Sequence, residues 1–146
     1  MSSTLLVYGA YGYTGRLVAE LAAENDLRPI LAGRDAARLA PLADQLGLET
    51  RCFTLDDAEA LDTALRDVAV VAHCAGPFIH TALPMARACL RTHTHYLDIT
   101  GEIDVFETLG ELDAEAREAG VMLLPGAGMD VAPSDCLALY LAQRLP

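Results

Sequence analysis

The 146-residue sequence contains no lysine: its ten basic residues are all arginine, against 21 acidic residues, for a formal net charge of -11. That absence excludes several chemistries. A P-loop needs a lysine on the phosphates, a Schiff-base enzyme needs a lysine amine, and a Tyr-x-x-x-Lys reductase dyad cannot be assembled. The acidic balance argues against nucleic acid and anionic membrane as partners, since both require a cationic footprint. Long apolar runs are also missing; stretches such as 68–72 are strand-length, far short of the roughly 20 residues of a spanning helix. The N-terminus, Met1-Ser2-Ser3-Thr4, has no cationic flank, and the apolar stretch after it is too short for a secretory signal. The four cysteines, at 52, 74, 89 and 136, show no C-x-x-C spacing. Reduced thiols in a cytoplasmic protein are therefore expected, with Cys52, Cys89 and Cys136 as core residues.

What is present is a 53% hydrophobic chain in which strands alternate with helices. Strands are predicted at 5–8, 29–32, 50–55, 68–74, 96–99 and 121–124. Helices are predicted at 14–23, 36–46, 57–65, 81–90, 103–119 and 134–145, from apolar residues at helical spacing. Gly47 and Gly120 are stop signals, Asp56 and Asp57 are capping candidates, Pro84 falls in a first turn, and Pro146 ends the last helix. Six strand-helix units imply right-handed crossovers and a doubly wound parallel sheet, an α/β fold in three α/β/α layers. The length allows one such domain.

The first strand runs into Gly9-Ala10-Tyr11-Gly12-Tyr13-Thr14-Gly15 and then a helix. Glycines at this spacing serve a tight turn, a close backbone approach to a pyrophosphate, and close helix–strand packing. The helix N-terminus supplies N–H groups and a dipole for the phosphates, and Thr14 adds a hydroxyl. The strand–loop–helix context is that of a Rossmann-type NAD(P)-binding fold. At the end of the second strand, where an acid would hold the ribose hydroxyls of NAD, the chain has Gly33-Arg34-Asp35. A guanidinium at Arg34, assisted by Arg38, suits a 2′-phosphate, with Asp35 as a helix cap. NADP is therefore expected over NAD. The missing carboxylate argues against a methyltransferase.

Together these residues resemble the saccharopine dehydrogenase-like family, which includes saccharopine reductases and trans-acting enoyl reductases. The matching stretches are the glycine loop, Ala32-Gly33-Arg34, Gly76-Pro77-Phe78, Tyr96-Leu97-Asp98-Ile99-Thr100-Gly101-Glu102, and residues 126–135. They cover nearly the whole chain, and the Asp-Ile-Thr-Gly-Glu and Pro-Ser-Asp stretches make the match specific. The resemblance implies an NADP-dependent oxidoreductase in which Gly9, Gly12, Tyr13, Thr14 and Gly15 cradle the pyrophosphate and Arg34 holds the 2′-phosphate. Ala75, Gly76 and Pro77 would lie along the cofactor toward the nicotinamide. It further implies that residues 1–125 form the NADP-binding domain, and that residues 126–146 begin a crossover into a substrate domain beyond this chain. The 146 residues alone would then be inactive, with hydride transfer to a small-molecule substrate belonging to the longer protein. The alternatives are a non-catalytic NADP sensor or regulatory module, and a domain with a vestigial pocket.

No acid–base pair stands out. Asp98 and Glu102, at the carboxyl edge of the fifth strand, are candidates for orienting substrate or for proton transfer; otherwise Asp98 ties down a loop and Glu102 caps the next helix. His73 and Cys74 are adjacent on a strand and point to opposite faces, so they form no dyad. His80 is placed near the cofactor or on the surface. His93-x-His95 has no third ligand at a useful spacing, so no metal is expected. The acidic segment 102–118 reads as a solvated face. The last helix has little polar face and should be buried; uncovered, it would make the chain associate with itself.

Overall fold

The computed structural model describes residues 4–145; the expectations for residues 1–3 and for Pro146 lie outside them. Six strands, β1 (Leu5–Tyr8), β2 (Ile30–Gly33), β3 (Thr50–Cys52), β4 (Val70–His73), β5 (His95–Asp98) and β6 (Leu123–Leu124), form one sheet in the order β3-β2-β1-β4-β5-β6. Every pairing is parallel, and Val7 stands opposite both Leu31 and Ala72. The order reverses at β1, so the ends of β1, β2 and β4 meet around one crevice, where open parallel sheets bind ligands.

The helices are α1 (Tyr13–Glu24), α2 (Ala36–Leu46), α3 (Ala58–Leu65), α4 (Phe78–Thr92), α5 (Ile103–Gly110), α6 (Asp113–Ala119) and α7 (Ala132–Ala142). Strand alternation sends Val7 and Leu31 to one face of the sheet, against Ala19 of α1 and Leu39 and Leu42 of α2. Leu6, Val71 and Tyr96 go to the other face, against Leu61 and Leu65 of α3, Met85 of α4 and Val105 of α5. Two apolar layers on one sheet are the three-layer α/β/α architecture. Asp35 accepts hydrogen bonds from Ala37 N (3.0 Å) and Arg38 N (3.2 Å), and Asp57 accepts one from Ala60 N (3.0 Å). Gly47 and Gly120 end α2 and α6 at φ +62° and +67°.

Several sequence expectations need correction. The helix expected over 103–119 is two, broken between Gly110 and Asp113. Val105, Leu109, Leu112 and Ala116 are nevertheless all buried, so the apolar period runs straight through the break. α4 begins at Phe78, which puts Pro84 beyond its first turn. β3, β4 and β6 are shorter than expected. Cys52 and Cys136 are exposed; of the three cysteines assigned to the core, only Cys89 is buried. The last helix begins at Ala132 and has no buried residue, with Leu137, Leu139 and Tyr140 57%, 62% and 52% exposed. Among the described residues no other element covers its apolar residues. Among the described residues no helix is long and apolar enough to cross a membrane.

His73 lies on the opposite face from Cys74, fully buried among the rings of Tyr8, Phe78 and Tyr96 at 5.5, 5.3 and 6.0 Å. Among the described residues neither ring nitrogen has a hydrogen-bond partner, and burial pushes its pKa down from 6.5 to about 3. The groups facing it are the Tyr8 and Tyr96 phenols, with the Asp98 carboxylate behind Tyr96. The unfolded chain therefore binds a proton below pH 6.5 that the folded chain refuses. Stability is complete above that pH and falls by ~1.4 kcal/mol per pH unit as pH drops toward 3. The carboxyls of Asp62 and Asp67, held low by Arg91 and Arg51, add their losses at lower pH. Urea denaturation from pH 7 to 4.5 is expected to show this slope in the native chain and a flatter one in His73→Phe.

Candidate functional site

Sequence forces the backbone of the β1–α1 turn into a narrow path. Gly9 has φ +82°, and its N–H and that of Ala10 both donate to Ala32 O, at 2.8 and 3.1 Å, pinning the turn to β2. A Cβ on Gly9 would meet Ala75 Cβ at 2.9 Å, so the loop after β4 presses against this turn. A Cβ on Gly15 would overlap the Gly9 carbonyl oxygen and lie 2.9 Å from Ala10 Cα. A Cβ on Gly33 would meet the Tyr11 ring at 2.6 Å. These glycines let three chain segments converge.

A cavity of about 790 Å³ opens where they converge. Of the predicted site residues, Gly9, Gly12, Gly33, Arg34, Arg38, Ala75, Gly76 and Pro77 all line it. Tyr13, Thr14 and Gly15 form the first turn of α1 behind the loop; the Tyr13 side chain is 86% exposed and Gly15 is buried. His80 also reaches the cavity wall. Gly76-Pro77 is a cis peptide bond.

The electrostatics distinguish the helix ends. A carboxylate already occupies the N-termini of α2, α3 and α4: Asp35, Asp57 and Glu102. The N-terminus of α1 has no side-chain cap and no acidic residue in its first turn. Its free N–H groups and dipole can hold an anion. Beside the glycine loop, neither Arg34 nor Arg38 of the cavity wall has a carboxylate partner among the described residues. The Arg38 guanidinium lies 4.3 Å from the centroid of the Tyr11 ring. The site thus offers two places for negative charge, the α1 N-terminus and the pair of arginines.

Sequence reasoning missed Tyr8, Tyr11, Thr54, Leu55, Asp56, Thr81 and Pro84 in this wall. The end of β3 was open to the same edge-of-sheet argument as β2, which would have found residues 54–56. Nothing local marks Tyr11, whose ring rests against Gly33 from another strand. Cys74 also lines the cavity; burial, with the charge of Asp98, pushes its thiol up to about 11, so it is protonated and inert at neutral pH.

Asp98 and Glu102 do not line the cavity. Asp98 is buried and accepts hydrogen bonds from Thr100 N (3.0 Å), Gly126 N (2.8 Å) and Tyr96 OH (2.6 Å). It ties together the loops that follow β5 and β6. Glu102 stands at the start of α5 but does not cap it; its carboxylate accepts from Phe78 N and Ile79 N, both at 2.8 Å, and so caps α4. Among the described residues no three His, Cys, Asp or Glu side chains gather as a metal site. His93 Nδ1 bonds to Ala119 O and His95 Nδ1 to Met122 N, each at 3.0 Å.

The family model of the saccharopine dehydrogenase NADP binding domain matches residues 5–124. A trans-acting enoyl reductase of Mycobacterium leprae is 33% identical over 149 residues, covering 97% of this chain and 36% of that protein. A saccharopine dehydrogenase-like oxidoreductase of Bos taurus is 26% identical, over 97% of this chain and 38% of its own. Among solved structures, the apo saccharopine dehydrogenase (L-Glu forming) of Saccharomyces cerevisiae superposes with a TM-score of 0.84 at 23% identity, over 98% of this chain and 31% of that one. The chain spans little more than a third of the length of the two sequence relatives.

Proposed function

Because the chain belongs to the saccharopine dehydrogenase NADP-binding domain family, we propose that it is the cofactor-binding part of an NADP-dependent oxidoreductase. Hydride would pass between the nicotinamide C4 and a small-molecule substrate held mainly by a further domain. The observation that carries this reading is that an uncapped helix N-terminus and two arginines without a carboxylate partner among the described residues border one and the same cavity. A pyrophosphate and a 2′-phosphate are two negative groups on one ligand.

Gly9, Gly12, Tyr13, Thr14 and Gly15 present the backbone and first turn of α1 to the pyrophosphate. Arg34 and Arg38 take the 2′-phosphate, and Ala75, Gly76 and Pro77 flank the nicotinamide half. The cofactor supplies the hydride chemistry; this chain supplies position and electrostatics. The names of the relatives, a reductase and an oxidoreductase, favour this over a sensor or regulatory module. The free thiols support a reducing, cytoplasmic setting.

Residues 126–131 lead out of the sheet into α7, whose exposed leucines support the reading that residues 126–146 begin a crossover to a covering substrate domain. Residues 1–146 alone would bind cofactor without turnover. Uncovered, α7 is expected to drive self-association of this chain. Sedimentation should show a concentration-dependent dimer or larger species, and Leu137→Asp with Leu139→Asp should return it to monomer; a monomeric native chain at high concentration refutes this.

Thermal unfolding with NADP and NAD tests the cofactor reading. NADP at 100 times its Kd adds ~2.7 kcal/mol, which raises Tm by roughly 5–10 °C for a domain of this size. NAD at the same concentration should do much less. A Tm indifferent to both would sink the reading.

A further inference from the structure

The loop between β5 and α5 holds a chain of contacts that ends on the cavity wall. Gly126 N, where the chain leaves β6, donates to Asp98 Oδ1, and Ala127 N to Asp98 O, both at 2.8 Å. Asp98 Oδ1 also receives Thr100 N, and the buried Thr100 hydroxyl receives Glu102 N, each at 3.0 Å. Glu102 then holds Phe78 N and Ile79 N. These are the first two N–H groups of α4, directly after the Ala75-Gly76-Pro77 turn that lines the cavity. The turn has a second tether on its other side: the Thr81 hydroxyl donates to Ala75 O at 2.7 Å.

From this connectivity we infer that Glu102 is a positioning residue for the nicotinamide half of the cofactor, fixing the Ala75–Pro77 lip through the N-terminus of α4. The inference rests on the NADP reading above. α4 has no cap of its own, since its N-cap residue is Pro77. The carboxylate therefore does two things. It satisfies donors that would otherwise leave the first turn free to fray. It also puts negative charge on the N-terminus of α4, as Asp35 and Asp57 do on those of α2 and α3, which leaves α1 as the place for phosphate. Because the same chain of bonds reaches Gly126, the lip and the segment leaving the sheet are held in one register, so that cofactor and substrate parts meet in a fixed relation.

The test compares two ligands on the 146-residue chain by calorimetry: NADP, and 2′,5′-ADP, which carries the 2′-phosphate but lacks the nicotinamide half. Glu102→Ala is expected to weaken NADP by about tenfold while 2′,5′-ADP binds as to the native chain. Glu102→Gln, the same shape with one acceptor oxygen, should fall between and keeps the test open if Glu102→Ala does not fold. Unchanged NADP affinity in the folded variants, or equal weakening of both ligands, overturns the role of Glu102. A native chain that binds neither ligand overturns the NADP reading instead, and with it this inference.

Discussion

Gly15→Ala is expected to destabilise the chain by about 3 kcal/mol and to weaken NADP binding at least tenfold, although the position is helical. Two effects compete. Alanine is favoured over glycine inside a helix by roughly 1 kcal/mol. Against that, the new Cβ would overlap the Gly9 carbonyl oxygen and sit 2.8 Å from Gly9 C and 2.9 Å from Ala10 Cα. All three are backbone atoms, so no rotamer change relieves the overlap. α1 must move away from β1, and Gly9 must leave a turn pinned by two hydrogen bonds to Ala32 O. The turn lines the cavity, so folding and binding suffer together. Gly110→Ala is the control. A Cβ there meets nothing within 4 Å, and the substitution should stabilise by about 0.5–1 kcal/mol through the unfolded chain. Urea denaturation of the two variants measures both signs; a neutral Gly15→Ala would show that α1 and the turn can separate freely.

The fold was legible where the signal is local and periodic. Alternating strands and helices, the glycine loop, Asp35 and the helix-ending glycines are each encoded within a few residues of where they act. The start of α4 was not legible, because its cap comes from Glu102, in sequence 24 residues after Phe78. Local reading instead assigned Glu102 to the helix that follows it. The break after Gly110 was masked because Val105, Leu109, Leu112 and Ala116 keep helical spacing across it. The apolar composition of α7 predicted burial, yet composition says nothing about what does the covering. The site shows the same division. Arg34 and the glycines lie at the ends of strands, where edge-of-sheet reasoning finds them, whereas Tyr11 enters only because Gly33 leaves room for its ring.

Arg34→Ala is expected to lower NADP affinity by roughly 30–100-fold, the equivalent of ~2–3 kcal/mol for a charge-assisted pair, and to leave NAD affinity within about twofold. The asymmetry is the informative part, since NADP and NAD differ only in the 2′-phosphate. Arg34 is exposed and has no carboxylate partner among the described residues, so its removal should orphan no charge and leave the fold unaffected. Arg38→Ala should cost less, because its guanidinium is shared with the face of the Tyr11 ring. Two conditions should weaken the preference without any mutation. Raising salt from 0.01 to 1 M shortens the Debye length from about 30 to 3 Å, which screens an exposed pair. Lowering pH through about 6 protonates a phosphate monoester and removes part of its charge. The net charge of -11 offsets part of both effects, because the same changes also relieve its repulsion of the phosphate. With no lysine in the chain, a trianionic ligand approaching an acidic protein finds its positive charge only at the α1 N-terminus and on arginine. Loss of one guanidinium therefore removes a large share of the attraction, and calorimetry with both nucleotides should find the NADP preference nearly abolished in Arg34→Ala.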